Sequence, residues 1–588
     1  MRVSGPVIQH NYGRTIQNGF GGLNHNLGAT DGEIFDMMNM CGDFYPLLAT
    51  REMSWKKAQK PRGMLGIISY ALIEGREIWV CKSQGDFDVL WIGDEDGYIE
   101  SQNLTDITGV ERTITEISGK ICIFPDKFYY NTAVEKAHRY TSLEAVFDSE
   151  KIEGNYIYVG AEGSPKELYR YWIDMWRRTH GIRRMNEYFA GRFTIEDGTY
   201  AGQPAERNTI KIAKTDLTNL FFPEIGDALT VYLGTNSYKT AIVREMETDT
   251  DYVYLRFYEG TFPANGVNTG TIEKKVPDLD FICEHKNRLW GCKGKEIFCS
   301  HLGNPLNWYE YESLADGAWA VEIGSGELTG CVSYNYPLFF TENEIYTILG
   351  NEPAEYALSV TPNTFGLAKG SHRSFAIVRE YLFYHSPYGF CYYYGSMPQL
   401  CSAALGTEYF RNAVGGGKGG KYYVSCETEN GLTRNYVFDA TRGMWHKEQN
   451  AFTSKIAAFA WDGDLYSVMG DGVYSMGLPR NKPSDDSEFG DDPMPSQVVF
   501  APWDTDSVNK KQVKSICIRH EVEGTLTAHL YVDGVENASL RKVITGNGMT
   551  EIVGIPRRGD KWQLVLDGAG AWKVYSIAYD FYEGSAKK

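Results

Sequence analysis

Three cysteines, Cys283, Cys292 and Cys299, lie close enough in the sequence to suggest a metal site or a disulfide. Zinc sites usually take thiolate ligands in pairs from tight turns, such as C-x-x-C, and that spacing is absent here. The eleven cysteines of the chain are an odd and scattered set, which suits reduced thiols rather than a disulfide framework. We therefore predict that residues 287–300, NRLWGCKGKEIFCS, form a β-hairpin that carries thiols, with no metal and no cofactor.

The glycine-rich stretch GGGKGG, residues 415–420, is a second candidate because glycine loops can hold phosphate. A P-loop, however, requires G-x-x-x-x-G-K-S/T between a strand and a helix. Here the residues that follow, KYYVSCE, read as a strand. The stretch is therefore predicted to be a flexible loop between strands.

Carboxylates in the segments WIGDEDG, WDGDLY and GDGVY could supply the acid and base of glycoside hydrolysis. The same Asp and Gly residues are also those that tight turns require. The sequence contains no sialidase-like S-x-D-x-G-x-x-W, no H-E-x-x-H and no G-x-S-x-G. We predict no catalytic residues and no enzymatic activity.

The densest basic patch lies in a segment predicted to be helical, ELYRYWIDMWRRTHGIRRMNEY at residues 167–188, and consists of Arg177, Arg178, Arg183 and Arg184. Guanidinium groups form bidentate contacts with phosphates and carboxylates, so these four are the candidate partner-binding residues, for DNA or for an acidic protein surface. The alternative is a solvated helix end.

Composition narrows the class of protein. The 588 residues are 43% hydrophobic and rich in Tyr, Phe and Trp, which favours strands and packed cores. The net charge of −18 argues against strong binding to nucleic acid, because such binding depends on Lys and Arg displacing counterions. No apolar run predicts a signal peptide or a membrane span, so we expect a protein made and folded in a cytoplasm.

A repeated hairpin organises most of the chain. An apolar strand, a short polar turn and an apolar-aromatic strand recur, with lead positions at Ile78, Ile121, Leu289, Leu338, Leu382, Tyr422 and Leu465. All but one of the intervals fall in the range of about 40 to 50 residues expected for four-stranded propeller blades. The exception, between positions 121 and 289, is too long for a loop and predicts an insertion.

The predicted fold is mainly β: a β-propeller of six to eight blades, with an inserted helix plus small β-barrel module and a C-terminal β-sandwich. The expected order is an N-terminal segment that is partly blade material (1–60), blades (61–150), a helical insertion (151–204), a small barrel (205–277), blades (278–478), a linker (479–496) and the β-sandwich (497–588). A shorter helix is predicted over SLEAVFD, residues 142–148.

Five stretches of the sequence resemble one known family. They are FGGLNHN (20–26), DMMNMCGDFYPLLATR (36–51), HLGNPLNWYEY (301–311), GELTGCVSYNYPLFFTENEIYTILGNEP (326–353) and IPRRGDKWQLVLDGAGAWKVYSIAYDFYEGS (555–585). They resemble the propeller-based tail proteins of tailed bacteriophages, namely the tail tubular or nozzle proteins and the packaged-DNA stabilisation proteins of short-tailed phages. The stretches reach both ends and the centre of the chain, whereas the helical segment has no counterpart in the family.

The resemblance implies a non-enzymatic virion protein, made in the host bacterial cytoplasm and located in the tail. It would form a hexameric ring that connects the portal and adaptor proteins to distal tail or fibre proteins and provides the conduit for DNA ejection. Genomic DNA would pass transiently, without strong binding. Two other classes stay open: a receptor- or glycan-binding tail or baseplate module, and a propeller glycosidase.

Overall fold

The structure is a computed structural model of the whole chain. It describes every residue except 1–10, 27–31, 95–96, 134, 140–141, 151–208, 218–222, 226, 234–235, 238–240, 249, 258–266, 310, 312, 363–364, 453–454, 477–486, 504–508, 538–539, 555–557 and 584–588. The predicted helix at 167–188 therefore lies outside the described residues. No helix in the described part of the chain is long and apolar enough to cross a membrane.

The regular structure of the described residues is β-strand, apart from short 3-10 turns at Lys214–Asp216, His372–Ser374 and Ala403–Leu405. The N-terminal strands are β1 (Asn11–Gln17), β2 (Ile34–Met38), β3 (Met40–Cys41), β4 (Leu48–Thr50) and β5 (Trp55–Gln59). Blade 1 contains β6 (Gly66–Ile73), β7 (Arg76–Lys82), β8 (Asp88–Asp94) and β9 (Gly97–Leu104). Blade 2 contains β10 (Thr113–Ile117), β11 (Lys120–Phe124), β12 (Phe128–Asn131) and β13 (Lys136–Arg139).

The inserted module follows blade 2. Its strands are β14 (Ser142–Glu150), β15 (Thr209–Ala213), β16 (Ala228–Leu233), β17 (Asn236–Ser237), β18 (Ala241–Thr248), β19 (Tyr252–Phe257) and β20 (Val267–Glu273). Blade 3 contains β21 (Phe281–His285), β22 (Arg288–Lys293), β23 (Glu296–Cys299) and β24 (Trp319–Glu322). Blade 4 contains β25 (Gly330–Ser333), β26 (Pro337–Phe340), β27 (Glu344–Leu349) and β28 (Ala357–Pro362).

The remaining blades precede the C-terminal strands. Blade 5 contains β29 (Ala376–Val378), β30 (Tyr381–Ser386), β31 (Gly389–Tyr393) and β32 (Gln399–Leu400). Blade 6 contains β33 (Phe410–Lys418), β34 (Lys421–Thr428), β35 (Thr433–Asp439) and β36 (Met444–Glu448). Blade 7 contains β37 (Ala458–Trp461), β38 (Leu465–Met469) and β39 (Gly472–Ser475), together with β5. The terminal strands are β40 (Pro495–Phe500), β41 (Lys511–Val532), β42 (Val535–Glu536), β43 (Lys542–Val553), β44 (Trp562–Ala569) and β45 (Trp572–Glu583).

Seven four-stranded antiparallel sheets are the strand arrangement of a seven-bladed β-propeller, so the predicted fold class is confirmed. All seven lead positions of the repeat lie in the second strand of their blade. These second strands are buried on both faces, as in β11 and β26, because blades pack face to face. The outer strand β9, in contrast, alternates between exposed and half-buried residues.

The chain divides into two compact units. The first unit comprises residues 1–111, 339–346 and 360–588, and holds blades 1, 5, 6 and 7 with the terminal strands. The second unit comprises residues 112–338 and 347–359, and holds blades 2 and 3 with the inserted module, while the strands of blade 4 are divided between the units.

The inserted module is a small closed barrel. The pairing order β16-β18-β19-β15-β14-β20 returns to β16, so six strands have no free edge in the ladder. Strand β14 covers the stretch SLEAVFD, where the prediction of a short helix is wrong: Phe147 pairs with Ile212 on one side and Asn268 on the other. Pairing with two distant strands outweighs the weak local helix preference of this segment.

The C-terminal strands form one ten-stranded sheet that also contains the N-terminal strands β1 to β4. The long strand β41 bends in its middle, so residues 511–522 pair with β45 and residues 525–532 pair with β44. Gly524 lies at the bend, where a Cβ would come within 1.9 Å of the carbonyl oxygen of Ala569. The sheet therefore depends on both ends of the chain, which the predicted boundary at residue 497 did not include.

The fourth strand of blade 7 is β5, which precedes blade 1 in the sequence and pairs with β39. The register joins Ala58 to Val473 and Gln59 to Gly472, and the amide of Lys60 donates to the carbonyl of Asp471 at 2.9 Å. In an antiparallel ladder hydrogen-bonded pairs alternate, so Ala58 directs its N–H toward β39 and Gln59 directs its N–H away. The opening segment is thus partly blade material.

Replacing Ala58 with proline is expected to cost about 3 kcal/mol or more of folding free energy, because proline removes a ladder hydrogen bond inside this strand. Gln59→Pro is the matched control, since the N–H lost there does not bond β39. Urea unfolding followed by circular dichroism measures both changes. Equal midpoints for the two variants would contradict the assigned register.

Candidate functional site

The predicted partner-binding residues, Arg177, Arg178, Arg183 and Arg184, lie outside the described residues. Their role stays a prediction. Glu95 and Asp96 of the segment WIGDEDG also lie outside the described residues. The three cysteines, the glycine stretch and the remaining turn carboxylates lie on described strands and turns.

The cysteine stretch is a β-hairpin, as predicted. Cys283, Cys292 and Cys299 lie on three successive strands of blade 3, and Cys292 pairs with Ile297 across the hairpin. A hydrogen bond with Cys331 and burial raise the pKa of Cys283 well above its usual value, and burial raises the pKa of Cys299 to about 12. Zinc binding and nucleophilic attack both require a thiolate, which these surroundings disfavour. Across the described ranges, no group of three or more His, Cys, Asp or Glu side chains is placed to hold a metal ion.

The glycine stretch is only partly a loop. Gly415, Gly416 and Gly417 belong to strand β33, and only Gly419 and Gly420 form the two-residue turn to β34, with φ values of 58° and 81°. Both turn residues have positive φ, as hairpin turns of this length require. The prediction of a flexible loop is therefore wrong for the first half of the stretch.

The strand glycines let neighbouring blades approach β33. A Cβ on Gly415 would lie 2.4 Å from the carbonyl oxygen of Ser374 in blade 5, and a Cβ on Gly416 would lie 2.8 Å from the Cβ of Phe459 in blade 7. Larger residues would force the first strands of these blades apart. The glycines therefore serve packing at the place where three blades converge.

The first strands of blades 5, 6 and 7 line a cleft, which we call the glycine cleft. It has a volume of about 470 Å³ and is lined by residues 375–379, 415–420, 459–461 and Leu465. This volume falls within the range of about 300–1,000 Å³ typical of small-molecule sites. Its lining combines glycines with apolar and aromatic side chains and the cations Arg379 and Lys418.

Two cations reach the glycine cleft, and the structure uses them differently. Lys418 forms an ion pair with Asp464, and its Nζ also donates to the carbonyl of Met476 at 2.5 Å. Arg379 donates from Nη2 to the hydroxyl of Thr441 at 2.8 Å, and it makes no ion pair with any residue that the structure describes. The guanidinium of Arg379 is therefore available to an anionic group in the cleft.

The turn carboxylates of blade 7 are held by lysines. Asp464 accepts hydrogen bonds from Lys418 and Ser475; although burial alone would raise its pKa, these bonds hold the pKa of this carboxyl below its usual value. Asp471 pairs with Lys56 at 2.7 Å in the same way. Both side chains stabilise turns, as their sequence positions suggested.

Sequence reasoning missed two residues of this site. Trp461 ends strand β37 with 57% of its surface exposed, and Arg379 follows strand β29. Trp461 directly precedes the turn residues Asp462 to Asp464, and an aromatic residue at the end of a strand could have indicated an exposed binding surface. Only the packing of blades 5 and 7 against blade 6 shows that the two residues lie at one cleft.

Buried histidines make this region sensitive to acid. Burial lowers the pKa of His385 and of His446 to about 4. The unfolded chain takes up protons on these rings below about pH 6.5, whereas the folded chain does not until about pH 4, so stability falls as the pH falls through that window.

Lowering the pH from 6.5 to 5 is expected to cost about 1.5 kcal/mol of unfolding free energy for each of these two rings. Glu448 acts in the opposite direction, because burial raises the pKa of this carboxyl. Urea midpoints measured between pH 5 and pH 6.5 give the slope of unfolding free energy against pH. His446→Phe, which removes one titrating ring, should flatten it; an unchanged slope would count against His446.

Comparisons with known proteins identify no family for this chain. No protein-family model and no curated protein sequence matches it. Among solved structures, similarity was found to an exo-β-1,3-galactanase from Phanerochaete chrysosporium, with 10% identity, a TM-score of 0.20, and 51% of this chain and 94% of that chain covered.

Two further solved structures are similar. Raptor from Chaetomium thermophilum shows 13% identity and a TM-score of 0.25, with 47% of this chain and 26% of that chain covered. The extracellular domain of BT4673, a putative one-component system from B. thetaiotaomicron, shows 10% identity and a TM-score of 0.22, with 94% of this chain and 92% of that chain covered. At such TM-scores these similarities carry no conclusion about function. The class that the strands define is a seven-bladed β-propeller protein with an inserted barrel.

Proposed function

We propose that this chain is a structural tail protein of a tailed bacteriophage, which assembles into a ring-shaped nozzle between the portal–adaptor complex and the distal tail. The observation that carries the proposal is that stretches of phage-tail resemblance from opposite ends of the sequence fold together. The stretch 36–51 contains β4, and the stretch 555–585 contains β45; Leu48 pairs with Val574 in one sheet.

The first resembling stretch, residues 20–26, belongs to the same folded region. The amide of Phe20 donates to the carbonyl of Pro46, in the stretch 36–51, at 3.0 Å. Segments that resemble one family and also pack together favour a shared architecture over scattered chance matches.

Exposed aromatic residues offer surfaces for assembly. On blade 5, Tyr394 and Met397 are exposed. The half-buried ring of Tyr381 lies 6.0 Å from that of Tyr394 and 5.4 Å from that of Tyr392, which is also half-buried. Aromatic residues and methionine are enriched at protein interfaces and often carry most of the binding energy. We call these four residues the tyrosine row.

Light scattering of the purified chain, alone and mixed with the proteins encoded beside it, tests the proposal. A hexameric ring is the expected result. A mass that stays at one chain at every concentration and in every mixture would contradict it. Tyr394→Glu probes the tyrosine row, with Tyr98→Glu on blade 1, also an exposed tyrosine, as the control. Loss of assembly only in the first variant would place the row in the interface.

The proposed role is non-enzymatic. Asp464 and Asp471 of the blade 7 turns are each paired with a lysine, which suits side chains that stabilise turns rather than the acid and base of glycoside hydrolysis. Depolymerisation of host polysaccharide by the purified chain would overturn this part of the proposal.

Duplex DNA is expected to bind very weakly at physiological salt, because the chain carries a net charge of −18 and polyphosphate binding requires a basic surface. A conduit lined with carboxylates would let DNA slide. Fluorescence anisotropy with a labelled duplex measures the affinity. Submicromolar binding that weakens steeply with salt would contradict the prediction and point to Arg177, Arg178, Arg183 and Arg184, which glutamine substitutions would then test.

A further inference from the structure

We propose that the glycine cleft binds a saccharide that bears a carboxylate, such as a uronic acid unit. The inference goes beyond the ring-forming role and does not depend on it. It is carried by three features that meet in the cleft: an exposed indole, strand backbone at glycines that carry no side chain, and one guanidinium that pairs with no carboxylate among the described residues.

The apolar side of the cleft suits the flat face of a sugar ring. Trp461 and Ile377 are 57% and 51% exposed, although both are large apolar residues on first strands of blades. Exposed tryptophan offers a rigid surface against which the C–H groups of a pyranose can pack at small entropic cost. Phe459 and Val378 extend the wall between them.

The backbone supplies the hydrogen bonds that sugar hydroxyls need. Strand β33 pairs with β34 through a two-residue turn, with Lys418 opposite Lys421. Because hydrogen-bonded pairs alternate in an antiparallel ladder, Gly415 and Gly417 direct their N–H and C=O groups away from β34. Ile377 does the same in blade 5, where Val378 pairs with Tyr381. Gly417 has no side chain and is only half-buried, so its backbone groups can reach a ligand, whereas Gly415 is buried.

The charge of the ligand follows from the two cations. Lys418 is already neutralised by Asp464, so it adds no net attraction. Arg379 bonds only a hydroxyl, that of Thr441, among the residues described by the structure, which leaves most of its planar fork free. That fork matches a carboxylate in bidentate geometry. One free guanidinium fits one carboxylate per bound unit.

A polyphosphate or a strongly acidic peptide fits the cleft less well. Asp462 lies in the turn directly after Trp461, so a chain of closely spaced negative charges would meet a further carboxylate there. A sugar with one carboxylate and several hydroxyls places its charge at a single point. The cleft volume of about 470 Å³ also suits a ligand of one or two sugar rings.

Titration calorimetry of the full chain with trigalacturonate, and with the neutral galactose trisaccharide as its counterpart, tests the proposal. Trigalacturonate is expected to bind with a dissociation constant below about 10 mM, and more tightly than the neutral sugar. Trp461→Ala should weaken binding about tenfold or more, while the exposed control Tyr409→Ala should leave it unchanged. Arg379→Gln should remove the preference for the acidic sugar and keep the residual binding of the neutral one.

Three outcomes would overturn the proposal. The first is that neither sugar binds to a protein sample whose circular dichroism and unfolding midpoint are normal. The second is binding that Trp461→Ala does not alter. The third is equal affinity for the two sugars, or binding of an acidic hexapeptide in place of both, which would assign the cleft to another ligand class. Because the assay needs no ring, its result is separate from the light-scattering test.

Discussion

Replacing Arg51 with methionine is expected to lower the free energy of unfolding by about 3–5 kcal/mol, because it leaves the buried carboxylate of Glu488 without its charge partner. The two side chains are only 7% and 1% exposed, and the Nη1 of Arg51 lies 2.8 Å from Oε1 of Glu488. A charge stranded at such a place costs far more than the loss of an exposed ion pair.

The expected effect is large because Arg51 joins segments that are far apart in sequence. Its Nε donates to Oδ1 of Asn39 at 2.9 Å and its Nη2 donates to the carbonyl of Gln449 at 3.1 Å. Glu488 in turn accepts the amide hydrogen of Ser54 at 3.0 Å. The network therefore ties the chain between β4 and β5 to the end of blade 6 and to the segment before the terminal strands.

Urea unfolding at pH 7 measures the loss. The exposed pair Lys510–Asp560 provides the control, and Lys510→Met should cost less than about 1 kcal/mol. The double variant Arg51→Met, Glu488→Met should recover part of the loss, since no unpaired charge then stays buried. An Arg51→Met variant as stable as Lys510→Met would contradict the role given to the network.

Replacing Ile297 with asparagine is expected to cost about 2–5 kcal/mol, through the lost apolar contact and the buried amide together. Ile297 is fully buried in the middle of blade 3, where it lies opposite Cys292 on one side and Val321 on the other. A polar side chain at this position has no route to water. The thermal or urea midpoint reports the change.

Cys292→Ala is the matched control, because it alters the residue directly across the hairpin and removes only one small group. It should cost about 1 kcal/mol or less, and metal analysis of the purified protein should show no bound zinc in either form. A loss of stability for Cys292→Ala as large as that for Ile297→Asn, or stoichiometric bound zinc, would indicate that the stretch 287–300 is a metal site.

The blades were predictable because each is a local unit. Two strands joined by a short turn leave a signal within a few residues, such as apolar Leu289 and Ile297 on either side of a turn with Gly294 at φ 59°. The glycine stretch was predicted wrongly for the opposite reason. Gly415 and Gly416 have the composition of a loop, yet they are strand residues, and the absence of side chains there makes room for blades 5 and 7. Their meaning depends on neighbours that the local sequence does not contain.

By itself, the sequence determined the mainly β class, the repeated hairpins, the place of the inserted module and the hairpin of the cysteine stretch, since all of these rest on short-range periodicity and turn chemistry. Only the tertiary structure decided that β5 completes blade 7, that β1 to β4 join the terminal sheet, and that Arg379 and Trp461 share one cleft. All three arrangements bring together residues that are far apart in the chain. A strand edge can pair with any strand whose register fits, so the local sequence does not specify the partner.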